Sequence, residues 1–149
     1  MADFLEVTVD KFTFRVDPCC LYSSEGVWAR IEGGRVRLGL SDYVQQRSGD
    51  IAFIDAKPAG TALARGDEFA SIETVKANVM LASPVSGKII LVNPALEIKP
   101  ELINQAPFGE GWVCEVEADN LDADRKVMLD ADAYFKKMKS EAEEEVRQK

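Results

Sequence analysis

The sequence predicts a mostly β fold with short helices and a C-terminal amphipathic helix, and three observations predict it. Apolar runs of strand length recur along most of the chain, punctuated by glycine, proline and aspartate. A two-residue Gly33-Gly34 link joins residues 27–32 to residues 35–40, which is a hairpin pattern. After Asp130 the period changes, and Ala131, Tyr134, Phe135, Met138 and Ala142 fall at helical spacing.

The elements follow in order. Val7, Val9, Phe12, Phe14 and Val16 alternate with one slip, so an extended N-terminal segment is expected, and Asp17-Pro18 breaks it. The Gly33-Gly34 hairpin comes next. Ser41 caps a short helix through Arg47, and Gly49 ends it. Gly49-Asp50 leads into Ile51-Ala52-Phe53-Ile54, and Gly66-Asp67 leads into Phe69-Ala70-Ser71-Ile72, with a turn at Pro58-Ala59-Gly60 between them. This weak echo describes a sheet folded back on itself. Residues 82–85, Gly87 and residues 88–92 repeat turn and strand. Residues 100–104 form one helical turn starting at proline, and residues 112–117 form the last strand. Asp130 caps a final helix over about 130–147. Lys137 with Glu141, Glu143 with Arg147 and Glu145 with Lys149 are its i,i+4 pairs. The helix packs on the domain edge or docks a partner. No low-complexity linker interrupts the chain, so residues 1–149 read as one domain.

Composition narrows the function. The chain has 149 residues, 46% hydrophobic and 30% charged, a globular balance. No apolar run reaches the roughly 18 residues of a membrane span, and residues 1–10 lack the pattern of a secretory signal. A cytoplasmic protein is expected. A net charge of −8 repels nucleic acid and favours basic partners. There is no histidine, which excludes Ser-His-Asp and Cys-His nucleophile pairs and histidine metal sites. No catalytic residue and no metal site are assigned. Cys19, Cys20 and Cys114 are an odd number with no C-x-x-C spacing, so they read as reduced or part-buried thiols; a redox role is the alternative. Asp119, Asp122 and Asp124 form an acidic run that reads as a solvated face or a contact for basic partners.

The chemistry concentrates at Lys76. Strand-like residues 69–74 and 79–81 approach it from either side, so it sits at or near a hairpin tip. Gly66 lies ten residues before it and Gly87 eleven after, both serving turns. Such a tip presents an amine to solvent, where a modifying enzyme reaches it and an attached arm moves between partner sites. Most lysines are ordinary surface charges, and the setting separates this one from them.

Glu73-Thr74-Val75-Lys76-Ala77 resembles the lipoylation motif of the glycine cleavage system H-protein family. Further motifs appear in that family's order. Gly39-Leu40-Ser41-Asp42-Tyr43 and Gly49-Asp50 are similar to its segment ahead of the lipoyl hairpin, and Ser83-Pro84-Val85-Ser86-Gly87 is similar to its Ser-Pro-Val-x-Gly turn. Asn93, Leu96, Pro100-Glu101-Leu102-Ile103-Asn104, Pro107-Phe108-Gly109 and Gly111-Trp112 are similar to its stretch before the final strand. The resemblance implies a lipoyl-domain-like β-sandwich, a flattened barrel of H-protein type with added helices. It implies a non-enzymatic carrier with lipoate in amide linkage to Lys76, and it implies that Glu73 helps lipoate ligase or another lipoyl-attachment enzyme recognise the hairpin.

Some residues depart from the usual family pattern. Gly26-Val27-Trp28 stands where His-Glu-Trp is usual, Thr74 where serine is usual, and Lys57-Pro58-Ala59-Gly60 where Leu-Pro is usual. Asn78 differs as well, and the tail after Tyr134-Phe135 is long and charged. With residues 43–50 and residues 138–145, these features resemble the H-like lipoate-binding proteins of sulfur-oxidising bacteria. That resemblance implies a lipoamide arm on Lys76 that shuttles sulfur-bound intermediates with a heterodisulfide-reductase-like complex. The alternative is the glycine cleavage carrier, which moves an aminomethyl group between glycine decarboxylase and aminomethyltransferase and is reoxidised by dihydrolipoamide dehydrogenase. A third possibility is a binding protein that kept the fold and lost the arm.

Overall fold

The computed structural model describes residues 3–148. Among these residues eleven strands form three sheets, accompanied by five helices. β1 (Leu5–Val9) and β2 (Phe12–Val16) form a two-stranded sheet. β3 (Leu21–Tyr22), β4 (Val27–Glu32), β5 (Arg35–Leu40), β11 (Cys114–Ala118), β10 (Gly87–Val92) and β7 (Ala62–Leu63) form a six-stranded antiparallel sheet in that spatial order. β6 (Ile51–Ala56), β8 (Glu68–Thr74) and β9 (Asn78–Ala82) form the third. The expected mostly β sandwich is present as open sheets, and no closed barrel forms among the described residues.

The main core lies between the six- and three-stranded sheets. Leu38, Phe69, Ile72, Ile89, Ile103 and Val116 are each at most 1% exposed there. The alternation of β8 explains the layer: Ile72 faces inward while Ser71 and Glu73 face out. Gly87 makes the close approach of β10 to β11 possible, because a Cβ there would lie 2.1 Å from the Glu117 carbonyl oxygen.

A second core joins the N-terminal sheet to the helices α1 (Asp42–Ser48) and α5 (Ala131–Arg147). Tyr22 and Tyr134 stack at 4.4 Å with an interplanar angle of 6°. The Tyr134 hydroxyl shares a 2.8 Å hydrogen bond with Ser41 Oγ, which also accepts from Val44 N as the cap of α1. Met138 is fully buried on the same helix face. The final helix thus packs on the domain edge, capped by Asp130 Oδ1, which accepts from Ala133 N at 2.8 Å.

Several local expectations need correcting. The slip in the N-terminal alternation is a two-residue turn at Asp10-Lys11, so one extended segment becomes a hairpin. Two helices go beyond the sequence expectation: α2 (Ala95–Ile98), only one turn long, and α4 (Leu121–Val127), whose first turn holds Asp122 and Asp124. The helical turn after Pro100 is α3 (Leu102–Gln105). Asp124 is not solvated: at 2% exposure it receives Arg65 Nη1 at 3.1 Å and Ser86 N at 2.8 Å, fastening α4 to the turn before β10. On α5 the Lys137–Glu141 pair forms at 2.9 Å, but Arg147 bonds Glu144, and Glu145 turns to Arg47. Lys149 lies outside the described residues.

Candidate functional site

Strands β8 and β9 pair from Glu68–Ala82 to Glu73–Asn78, leaving Thr74 to Ala77 as the tip. Thr74 organises it. The Thr74 side chain is nearly buried, and its Oγ1 accepts from Lys76 N at 3.2 Å and Ala77 N at 3.1 Å. Its hydroxyl donates to Ala77 O at 3.1 Å, and its backbone N–H donates to the same oxygen at 2.9 Å. One threonine thereby satisfies backbone groups on both sides of Lys76. Val75, beside the lysine, is 95% exposed, and Lys76 is exposed as well.

The stem of Lys76 passes over the α1–β6 connection. Gly49 lies beneath it, with a φ of +83° that suits glycine and its added Cβ position 3.9 Å from Lys76 Cε. Asn104 holds this connection in place. Its Oδ1 accepts from Ile51 N at 3.0 Å, and its Nδ2 donates to Gly49 O and Gln45 Oε1, each at 3.0 Å. Sequence reading placed Asn104 only in a family-like stretch and gave Thr74 no role. The available signal was a hydroxyl residue two positions before the tip lysine, the pattern of a side-chain-closed turn.

Beside the lysine lies a groove of about 350 Å³. Val9, Phe12 and Phe14 of the N-terminal hairpin form one wall, and Ala142 and Val146 of α5 form another. Arg47 Nε meets Glu145 Oε1 at 2.7 Å on the rim, and the Tyr43 hydroxyl donates to the same oxygen at 3.3 Å. Both partners of this ion pair are about half exposed, so it orients the rim and contributes little stability.

The other candidates do not join this site. Glu73 is exposed one residue before Thr74, on the outer face of the sheet. Cys19 and Cys20 border a separate groove with Arg125 and Asp130. Burial pushes the Cys20 thiol up to about 12, with the Asp17 carboxylate adding to it, and burial pushes the Cys114 thiol up to about 12 as well. Both thiols are held in the protonated, unreactive form at neutral pH.

A rigid sandwich that presents one lysine on a braced hairpin, beside a part-apolar groove, has the architecture of a protein that carries a covalently bound group. Comparison with known proteins makes this particular. The family model described as glycine cleavage H-protein matches residues 20–141. A glycine cleavage system H protein of Bacteroides fragilis is 42% identical over 113 residues, covering 76% of this chain and 89% of that protein. A probable glycine cleavage system H protein of Thermococcus gammatolerans is 38% identical, covering 85% of this chain and 95% of that protein. A crystal structure of such a protein from Mycobacterium marinum superposes with a TM-score of 0.70 at 26% identity, covering 80% of this chain and 95% of that one. The chain belongs to the glycine cleavage H-protein family, whose members are non-catalytic lipoyl carriers serving partner enzymes.

These findings overturn the sulfur-oxidation reading and its heterodisulfide-reductase-like partner, since relatives near 40% identity are named glycine cleavage system H proteins. The physical reason is visible in the departures that prompted that reading. Gly26 packs against Val44, Ser41 and Tyr134, and any Cβ there would lie 2.4 Å from Val44 Cγ2. Val27 is 3% exposed and packs in the main core. Tyr134 and Met138 fill the second core. These residues set packing rather than cargo. No helix among the described residues is long and apolar enough to cross a membrane.

Proposed function

We propose that this chain is the carrier of a glycine cleavage system, with lipoate in amide linkage to Lys76. It moves an aminomethyl group from glycine decarboxylase to aminomethyltransferase and is then reoxidised by dihydrolipoamide dehydrogenase. Residues 1–149 act as one carrier domain in the cytoplasm. The observation that carries the reading is the exposed Lys76 on a tip closed by Thr74, within a chain of the glycine cleavage H-protein family.

The surroundings fit such a group. Lys76 would hold it, its stem passes over a glycine, and Phe12, Phe14 and Val146 line adjacent apolar space. When bound, the group supplies a disulfide that accepts a substrate fragment and is reduced in the exchange. The residues of this chain fix the amine's position, keep it off the sheet and leave the chemistry to partners, which suits a chain with no histidine. Glu73, one residue from the tip, is proposed as a feature read by the lipoyl-attachment enzyme.

Intact-mass measurement of native protein tests the site. A lipoyl-sized addition present in the wild type and absent from Lys76→Arg is expected; its absence from both would overturn the carrier reading. The lipoylated protein is then offered to glycine decarboxylase, and carbon dioxide exchange is scored. No exchange would overturn the glycine cleavage assignment.

A further inference from the structure

The three-stranded sheet buries one face against the main core and leaves the other open. Strand register fixes which residues share the open face. Phe53 stands opposite Glu73 and Asp55 opposite Ser71 on one side. On the other side Glu73 stands opposite Asn78 and Ser71 opposite Met80. The intervening Ile54, Ile72 and Val79 face the core. Phe53, directly opposite Glu73, is 67% exposed, Met80, diagonal to Glu73, is 69% exposed, and Val75 on the tip is 95% exposed. Isolated exposed apolar residues are ordinary. Here three of the nine large exposed hydrophobics among the described residues gather on one lysine-bearing sheet, and clustering of this kind marks a contact surface. Asp55 and Glu73 share this face, and neither carboxylate has an ion-pair partner among the described residues.

We infer that this open face, centred on Phe53, Glu73 and Met80, is the docking surface for the enzyme that acylates Lys76. The inference rests on reading Lys76 as the attachment site. Reach selects this occupant. The acylating enzyme must bring an activated carbonyl carbon to within about 3.5 Å of Nζ, so its surface closes over the hairpin itself. An enzyme working at the far end of an attached arm has no such requirement. Charge completes the description: the partner offers an apolar depression rimmed by lysine or arginine, matching Phe53 and Met80 among unpaired carboxylates. In the reaction the Nζ lone pair attacks the carbonyl carbon of an acyl adenylate or acyl thioester. The N–C bond forms, the bond to the leaving group breaks with its electron pair, and Nζ releases a proton. Nothing is oxidised or reduced.

The test uses the unmodified protein with a lipoate ligase, lipoate and ATP, reading initial rates by intact mass against carrier concentration. The Phe53→Ala/Met80→Ala variant is expected to raise KM about tenfold with kcat within about twofold, as loss of two interface anchors does. Its thermal midpoint stays at the wild-type value, because both side chains are exposed in the free protein. Asp55→Lys raises KM by about fivefold, and added salt narrows that difference. Val127→Ala, at a 58% exposed apolar residue on α4, keeps the wild-type KM. An unchanged KM in the double variant would overturn the inference while leaving the site reading intact, whereas acylation of Lys76→Arg would overturn the site reading itself. A wild-type dimer in light scattering that the double variant abolishes would assign the face to a second copy and overturn the inference. So would a raised KM of glycine decarboxylase for the lipoylated double variant with ligase KM unchanged.

Discussion

The β4–β5 hairpin turns on Gly33 and Gly34, where a methyl group at either position would meet nothing within 4 Å. The β8–β9 hairpin turns on Val75, Lys76 and Ala77, braced by four hydrogen bonds between Thr74 and the backbone of residues 76 and 77. The first tip is made by backbone freedom, since Gly33 sits at a φ of +64° that other residues resist. The second tip is made by a side chain that replaces that freedom with hydrogen bonds. A carrier site needs the second kind: the loop must hold a large side chain in a fixed direction without glycine.

The largest break in this comparison is to move the lysine. A Lys76→Arg/Gly34→Lys variant is expected to show no lipoyl addition by intact mass, because the new lysine lies in a tip without the threonine brace. Acylation at Gly34→Lys would mean that any hairpin lysine suffices. A smaller break is Thr74→Val, which leaves the Lys76 and Ala77 N–H groups without their acceptor. The expected loss is about 1–3 kcal/mol in urea unfolding, together with an acylation rate lowered about tenfold. Thr74→Ser, which keeps the hydroxyl, should restore most of both.

Alkaline pH probes the body apart from the tips. Cys20 and Cys114 have thiol values raised in the folded state to about 12. Their stability contribution is therefore complete below the unfolded value near 8.5 and is lost as pH rises toward 12. Unfolding free energy should fall through that window by about 1.4 kcal/mol per pH unit for each thiol. Cys20→Ala and Cys114→Ala should each flatten the slope in urea titrations at several pH values, and an unchanged slope would refute the assignment. The smallest effect is expected at Gly33→Ala: about 1 kcal/mol less stable by thermal unfolding, from the positive φ, with the acylation rate equal to wild type.

Much of this was legible in the sequence because the signals were local. The Gly33-Gly34 turn, the Ser41 and Asp130 caps and the helical stripe from Ala131 to Ala142 are each written within a few residues. The place of Lys76 at a hairpin tip was legible from the strand-like runs on either side of it. The position of Asn104 against Gly49 was not, because its partners lie 53 to 59 residues away in the chain. Asp124 misled for the same reason: an acidic run reads as solvated until Arg65 and Ser86 arrive from another strand pair. The departure at Gly26 resembles a mark of cargo in the sequence, but in the fold it makes room for Val44 and for the Tyr134 hydroxyl, which arrives from a helix more than a hundred residues on.

The walls of the groove beside Lys76 lie outside the segment that matches the family model, and its floor lies within it. Phe12, Phe14, Ala142 and Val146 fall outside the family-matched residues 20–141, while Gln46, Arg47 and Lys76 fall inside them. The family-matched segment thus carries the lysine and its Thr74 brace, and the flanking segments of this chain supply the walls around them. Exchanging those segments between relatives would redecorate the neighbourhood of the amine while leaving the β8–β9 tip and the main core in place. Within this architecture the surroundings of Lys76 belong to other segments of the chain than the hairpin that bears it.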